Sequence, residues 1–165
     1  MDSFEELGVQ KHRPMIELIP EDVSFLISTT DVKVIYTETG STIEVDTLDF
    51  ENYSTGQLYK NCQIQFKTVA LVRCITLNFT EHLYEEYSVF TLEDLPPKEY
   101  WKKYGHHPYP GFYEVDNSIL LSNYNTDFDP LNNLSLKHYL IIGNDSYVEI
   151  VARSYTYQFL VNSSV

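Results

Sequence analysis

The stretch Val32-Lys33-Val34-Ile35-Tyr36-Thr37-Glu38-Thr39-Gly40-Ser41-Thr42-Ile43-Glu44-Val45-Asp46 decides the fold class. Val32, Val34 and Tyr36 alternate with Lys33 and Ile35, Glu38-Thr39-Gly40-Ser41 supplies a turn, and Ile43 and Val45 alternate with Glu44 and Asp46. Successive side chains of a strand point to opposite faces, so this spacing predicts an antiparallel hairpin with an apolar underside and Glu44 and Asp46 outward.

The same logic recurs further along. Leu136 to Ile142, the turn Gly143-Asn144-Asp145 and the run Ser146 to Leu160 predict a second hairpin. In it Val148, Ile150 and Ala152 alternate with Glu149, Val151 and Arg153, and Val151 interrupts the polar face, so only part of that strand is half exposed. Cys62 to Phe79 is the longest extended run. Its apolar residues change phase between Ile64-Phe66 and Val69-Leu71, which predicts a bulge or turn near Lys67-Thr68.

Helix signals are short. Ser3 and Glu6 have capping-box spacing, and Pro20-Glu21-Asp22 opens a turn before Val23, Phe25 and Leu26. Asp94-Leu95-Pro96-Pro97 starts a helix running to Tyr104, with Lys102 and Lys103 in its last turn and Gly105 as the stop. Tyr100, Trp101 and Tyr104 then form an aromatic lid on the sheet. The expectation is a single α+β domain over residues 1–165, mainly antiparallel sheet with a few short helices, because hairpins dominate and no βαβ alternation appears. A β-sandwich or partly open barrel is the fallback.

Composition narrows function. The 165 residues carry a formal charge of −13, with 14 Tyr and 9 Phe. Such acidity argues against direct nucleic-acid binding and against binding an anionic membrane, both of which need a basic face. The acid is uneven: from Met1 to Tyr59, acids outnumber bases 12 to 3. The start of the chain, with Asp2, Glu5 and Glu6, lacks the basic-then-apolar pattern of a secretory signal, so a cytoplasmic location is expected. The sequons at Asn52, Asn78, Asn133, Asn144 and Asn162 then reflect composition. Cys62 and Cys74 are expected as buried free thiols, too far apart to bridge if they share one strand.

Catalytic and cofactor motifs are missing: the chain has no P-loop, GxGxxG, GxSxG or HExxH pattern. Asp127-Phe128-Asp129-Pro130 begins like a calcium loop but continues with Leu131 and Asn132 and reaches His138 where the loop needs Glu, so an Asx-capped turn is expected. His106-His107-Pro108-Tyr109-Pro110-Gly111 places two imidazoles beside a Tyr, yet no third ligand stands at metal-site spacing, and a turn with exposed histidines is the expectation. No cofactor and no enzymatic activity are expected.

The candidate partner-binding residues are Glu17, Glu21, Asp22, Tyr36, Glu38, Glu44, Asp46, Asp49 and Glu51. Clustered acid steers a basic partner, and Tyr36, Tyr53 and Tyr59 would be rigid anchors between the carboxylates. The alternative is a small-ligand or enzymatic β-rich fold with an aromatic pocket of Tyr100, Trp101, Tyr104, His106 and His107.

The segments Gly111-Phe112-Tyr113-Glu114-Val115-Asp116-Asn117-Ser118, Lys137-His138-Tyr139-Leu140-Ile141-Ile142-Gly143 and Asp145-Ser146-Tyr147-Val148-Glu149-Ile150-Val151-Ala152 resemble small bacterial proteins similar to the immunity proteins of toxin systems. The resemblance spans the C-terminal third. It implies a cytoplasmic, non-enzymatic protein that occludes one cognate basic toxin, and it carries over no residue role.

Overall fold

The predicted hairpin forms in the computed structural model, which describes residues 16–29, 31–56, 58–76 and 87–161. Its strands are β3 (Lys33–Thr37) and β4 (Gly40–Asp49), with Thr37 opposite Gly40, so the turn shortens to Glu38-Thr39. Around it the chain adds β1 (Ile16–Pro20), β2 (Phe25–Ile27), α1 (Phe50–Thr55), β5 (Lys60–Thr76), β6 (Tyr87–Val89), α2 (Pro97–Tyr104), β7 (Phe112–Asp116), α3 (Ile119–Phe128), β8 (Lys137–Ile142) and β9 (Ser146–Phe159). The Ser3–Glu6 capping signal and the residues from Leu77 to Phe79 lie outside the described residues.

Among the described residues nine strands join one sheet, in the order β2-β4-β5-β9-β8-β7-β1-β6 with β3 also on β4. The eight pairings are not all alike: β1 and β6 run parallel, with Ile16 opposite Tyr87, whereas the other seven are antiparallel. The expected α+β fold, with a mainly antiparallel sheet, therefore holds, and the one parallel pair makes the sheet a mixed one. It is a single curled sheet, a half-barrel, in place of two stacked sheets.

The curl originates where the two longest strands meet. The phase change read near Lys67-Thr68 is real: Thr68 has φ 54°, and the β5–β9 register slips between Val69 and Leu71. On β9 the core-facing set also changes phase, from Val148, Ile150 and Ala152 to Tyr155 and Tyr157. Phe66 lies opposite Tyr155, and Val69 opposite Ala152, so both strands turn at one place. An extra residue in one strand bends it and increases its twist, which rolls the sheet around its own apolar face.

The main core fills that concave face: Phe25, Ile43, Val45, Ile64, Phe66, Phe112, Tyr139, Ile141, Val148 and Ile150 are all buried. Phe112 meets Phe66, Tyr139 and Tyr155 with ring centroids 4.7–6.0 Å apart. A second cluster (Leu18, Tyr113, Val115, Leu140 and Tyr147) is buried on the opposite side of β1, β7, β8 and β9. Hence β8 is apolar on both faces, and its sequence reads as a run and not as an alternation.

The segment from Pro20 to Ser24 crosses the mouth of the curl and joins its two ends. The Glu21 amide donates to Phe112 O at 3.0 Å, the Tyr155 hydroxyl donates to Glu21 Oε2 at 2.7 Å, and Ser24 Oγ lies 3.2 Å from Tyr157 Oη. After it comes β2 in place of a helix, paired with β4. The second tie is Pro110-Gly111: Ile27 N donates to Pro110 O and Ile142 N to Gly111 O, both at 2.8 Å.

Gly111 has φ +75°, and a Cβ there would stand 3.0 Å from Ile27 Cβ and 3.3 Å from Ile142 O. Gly56, at φ +70°, would place a Cβ in open space. Left-handed backbone costs a non-glycine residue about 1–2 kcal/mol, so Gly56→Ala is expected to lose about that much. Gly111→Ala is expected to lose roughly 1 kcal/mol more, from overpacking against Ile27 and the β8 carbonyl. Urea unfolding of the two variants checks the order.

Candidate functional site

The acids of the hairpin face outward as predicted, but several are already engaged. Lys33 Nζ pairs with Glu44 Oε2 at 3.0 Å, and Gln63 Nε2 donates to Glu44 Oε1 at 3.2 Å. These two hydrogen bonds hold the Glu44 carboxyl below the usual range. Asn61 Nδ2 donates to Asp46 Oδ1 at 3.4 Å. Asp49 caps α1 by accepting from Asn52 N at 2.8 Å and pairs with Lys60. Burial acts against its ionised form, but Lys60 and the Asn52 amide outweigh it, and its carboxyl is held below the ordinary value. The register explains these contacts, because Lys33, Glu44, Gln63 and Gln158 lie side by side across β3, β4, β5 and β9.

Glu38 at the turn, Glu51 on α1 and Asp22 are exposed, and among the described residues their carboxylates make no ion pair. Tyr36 is 62% exposed and Ile35 41%. They alternate on β3, which among the described residues is bonded to β4 along one edge only. Tyr59 is exposed as well, whereas Tyr53 is half-buried against Trp101 and His107.

Glu17 and Glu21 stand apart from this group. Glu17 lies on β1 opposite Asp116, with four strands between β1 and β4. Glu21 is turned into the mouth of the curl, where burial pushes its carboxyl up despite the Tyr155 hydrogen bond. Glu21, named among the partner-binding candidates, is thus half-buried and engaged with Tyr155 in the crossing segment.

The helix that carries the aromatic set forms where it was expected, with its rings against α1 and the turn at His106-His107. α2 begins with Pro97 in its first turn and ends at Gly105, φ +82°, with Tyr100 and Trp101 buried. Trp101 packs edge-on against Phe50 and His107, and its ring lies 5.7 Å from that of Tyr53. Tyr100 contacts Tyr104 and His106, and Tyr104 Oη donates to Glu93 Oε2 at 2.7 Å. The rings thus fill one another's space. A shallow groove of about 520 Å³ runs beside them, bordered by Ser24, Asp49, Glu51, Trp101, Lys102 and Phe159.

His107 is not the exposed histidine expected of the Pro-framed turn. It is 5% exposed, and its Nδ1 accepts the Tyr109 amide at 2.9 Å. Burial pulls its imidazole down to about 4. His106 remains half-buried at the rim.

The cysteines share β5, Cys62 opposite Val45 and Cys74 opposite Val148, both free; Cys62 is buried as expected, whereas Cys74 is exposed, which corrects the expectation of two buried thiols. Burial pushes the Cys62 thiol up to about 12, which leaves it protonated and unreactive at neutral pH. Among the described residues no group of His, Cys, Asp and Glu could hold a metal ion, and no helix is long and apolar enough to cross a membrane. Asp129 makes the expected Asx turn, accepting from Asn133 N at 3.0 Å and Leu134 N at 2.8 Å.

One polar group was invisible to spacing. Glu149, read as part of a half-exposed face, is 0% exposed on β9. Arg73, opposite it on β5, pairs with Oε2, and His138 Nε2 lies 3.4 Å from Oε1. His138 Nδ1 is 2.6 Å from Ser118 Oγ, which also caps α3 by accepting from Leu121 N at 3.0 Å. Ser118 and His138 are 7% and 3% exposed and line a cleft of about 390 Å³. The available signal was Arg73 standing in the apolar phase of the longest run, since a cation there needs a buried anion opposite.

Compared with protein-family models, with curated proteins and with solved structures, the chain matches none.

Proposed function

We propose that the chain is an acidic protein-binding module, an immunity-type inhibitor that occludes a basic toxin or enzyme through the β3–β4 hairpin. The observation that carries this reading is the open edge of β3, where exposed Tyr36 and Ile35 stand beside the unpaired carboxylate of Glu38 on a chain of charge −13. An edge strand offers backbone donors and acceptors to a partner strand, Tyr supplies a low-entropy anchor, and the acid steers approach. Glu44 and Asp46 share the face of Lys33 and Ile35, with Asp49 at the end of β4, and their internal partners reduce what these acids offer to another protein. The engaged acids set the field, and Tyr36 with Glu38 makes the direct contact. The partner is therefore a folded basic protein in the cytoplasm.

Affinity capture from host lysate at about 50 mM and about 500 mM salt tests this, because screening differs strongly between the two. One basic protein retained at low salt and weakened at high salt is the expected result. Tyr36→Ala is then expected to weaken that complex by roughly 10- to 30-fold, the scale of an aromatic hot spot, and Glu38→Lys to slow association. Retention of no protein at either salt, or affinity unchanged in both variants, would remove the hairpin edge from the model.

A further inference from the structure

We propose that Ser118, His138 and Glu149 form an acyl-transfer site that opens into the cleft beside α3 and accepts a short acyl ester. This site is separate from the hairpin edge and does not depend on the partner-binding reading. The argument begins with the hydroxyl. An N-cap serine needs only to accept an amide hydrogen, and Ser118 Oγ does so from Leu121 N. Its own proton remains to be donated, and the acceptor within reach is His138 Nδ1 at 2.6 Å. That bond sets the tautomer: Nδ1 carries the lone pair and Nε2 the hydrogen. Nε2 is buried and makes no hydrogen bond among the described residues, with Glu149 Oε1 3.4 Å away as the nearby carboxylate oxygen and Arg73 on Oε2. Nucleophile, base and orienting carboxylate are thus in sequence, with the histidine reversed so that Nδ1 serves the hydroxyl.

The surroundings supply two further requirements. Ser118 is the residue before the first turn of the ten-residue helix α3, where the amides of Ile119 and Leu120 have no acceptor inside the helix. Such amides face the charge that develops on a carbonyl oxygen attacked by the N-cap hydroxyl. Ser118 and His138 also line the 390 Å³ cleft, whose walls include Ser122, Asn125, Asn132 and Ser135. A space of that size, walled by these amides and hydroxyls and by the charged Glu114, Asp116 and Lys137, fits a short, polar acyl group better than a lipid chain.

The step balances without a co-reactant other than water. Ser118 Oγ bonds to the ester carbonyl carbon as its proton passes to His138 Nδ1. The tetrahedral adduct collapses, the bond to the alcohol oxygen breaks, and the alcohol leaves with the proton from Nδ1. Water then gives a proton to Nδ1 and attacks the acyl carbon, the bond to Oγ breaks, and Ser118 recovers its proton as the carboxylic acid departs. Ser118 and His138 are the catalytic residues; Glu149 acts through His138 as a positioning residue.

The test is phosphonylation of the full chain by a fluorophosphonate probe, alongside p-nitrophenyl acetate as the acyl donor. The expected result is one adduct per chain, mapped to Ser118 by peptide mass spectrometry, and a nitrophenolate burst equal to the protein concentration. Ser118→Asn keeps a good helix cap, so it is expected to fold and to lose both signals. His138→Gln is expected to slow labelling at least about 100-fold, the scale of a lost general base. Glu149→Gln removes the anion that favours the imidazolium and is expected to move the acid limb of the labelling rate to lower pH. The proposal is overturned if folded wild-type chain forms no adduct at Ser118, or if His138→Gln labels within threefold of wild type. An acid limb unmoved by Glu149→Gln would remove Glu149 from the site.

Discussion

Arg73→Ala is expected to destabilise the fold by about 3–5 kcal/mol, although the Arg73 side chain is 49% exposed. The loss comes from what stays behind. Glu149 is 0% exposed at the centre of the sheet, and its Oε2 is held by the guanidinium. Removing the guanidinium takes from the buried Glu149 carboxylate the cation on its Oε2, and breaking a buried pair in this way costs far more than the pair itself contributes. For a chain of this length about 3–5 kcal/mol corresponds to a melting temperature lower by roughly 6–20 °C. Replacing both members, Arg73→Met with Glu149→Leu, removes the charge and keeps the volume, and this double variant is expected to recover most of the loss. Urea unfolding of the single and double variants closes the cycle. A loss below about 1 kcal/mol for Arg73→Ala would mean that the guanidinium is only a surface charge and that other groups support Glu149.

This pair also marks the limit of what could be read from the sequence. Period-two alternation gave β3, β4 and β9 because each has enough residues of one phase to expose the pattern, and β8 was legible as an apolar run ahead of the Gly143 turn. The bulge at Thr68 was legible for the same reason, as a change of phase. Alternation says which face a residue occupies but not whether that face is covered. Glu149 occupies the predicted face, yet Tyr147 and Val151 beside it are also buried, because both sides of β8 and the first half of β9 are apolar. Which strands pair is likewise a long-range property: Arg73 meets Glu149 across 76 positions, and Ser118 meets His138 across 20. The parallel contact of β1 with β6 was hidden in the same way, since β6 has only three residues and no periodic signal.

α2 was the opposite case. Pro97, Lys102, Lys103 and Gly105 are local signals, and the helix obeys them. α3 was missed because its apolar residues make no clear stripe, even though Ser118 is a good cap. The acidic set was legible as charge but not as geometry. Glu44 and Asp49 lie close to Lys33 and Lys60 only because β3, β4 and β5 pair in one register.

The stability of the fold is expected to fall as pH drops from about 6.5 to about 4, with His107 contributing roughly 3 kcal/mol of the change. In the unfolded chain this imidazole takes up a proton near its ordinary value of 6.5, whereas in the fold burial pulls it down to about 4. Between those values the unfolded state binds more protons, so stability rises with pH through the window and is fully present above it. The cause is the site itself: the ring is 5% exposed, wedged against Tyr53 and Trp101, with Nδ1 committed to the Tyr109 amide. That commitment places the hydrogen on Nε2, which is buried without an acceptor among the described residues, so the neutral form is itself held at some cost. Glu21 works in the opposite sense, because its raised carboxyl takes up a proton more readily in the fold and offsets part of the loss in acid. His107→Asn isolates the histidine: its amide oxygen can accept from Tyr109, and it does not titrate. This variant is expected to be less stable than wild type at pH 7, from lost packing against Trp101, but to lose about 2–3 kcal/mol less on going to pH 4.5. Equal slopes for the two proteins across this window, measured by urea unfolding, would show that His107 is protonated as readily in the fold as out of it and that the aromatic cage does not exclude the imidazolium.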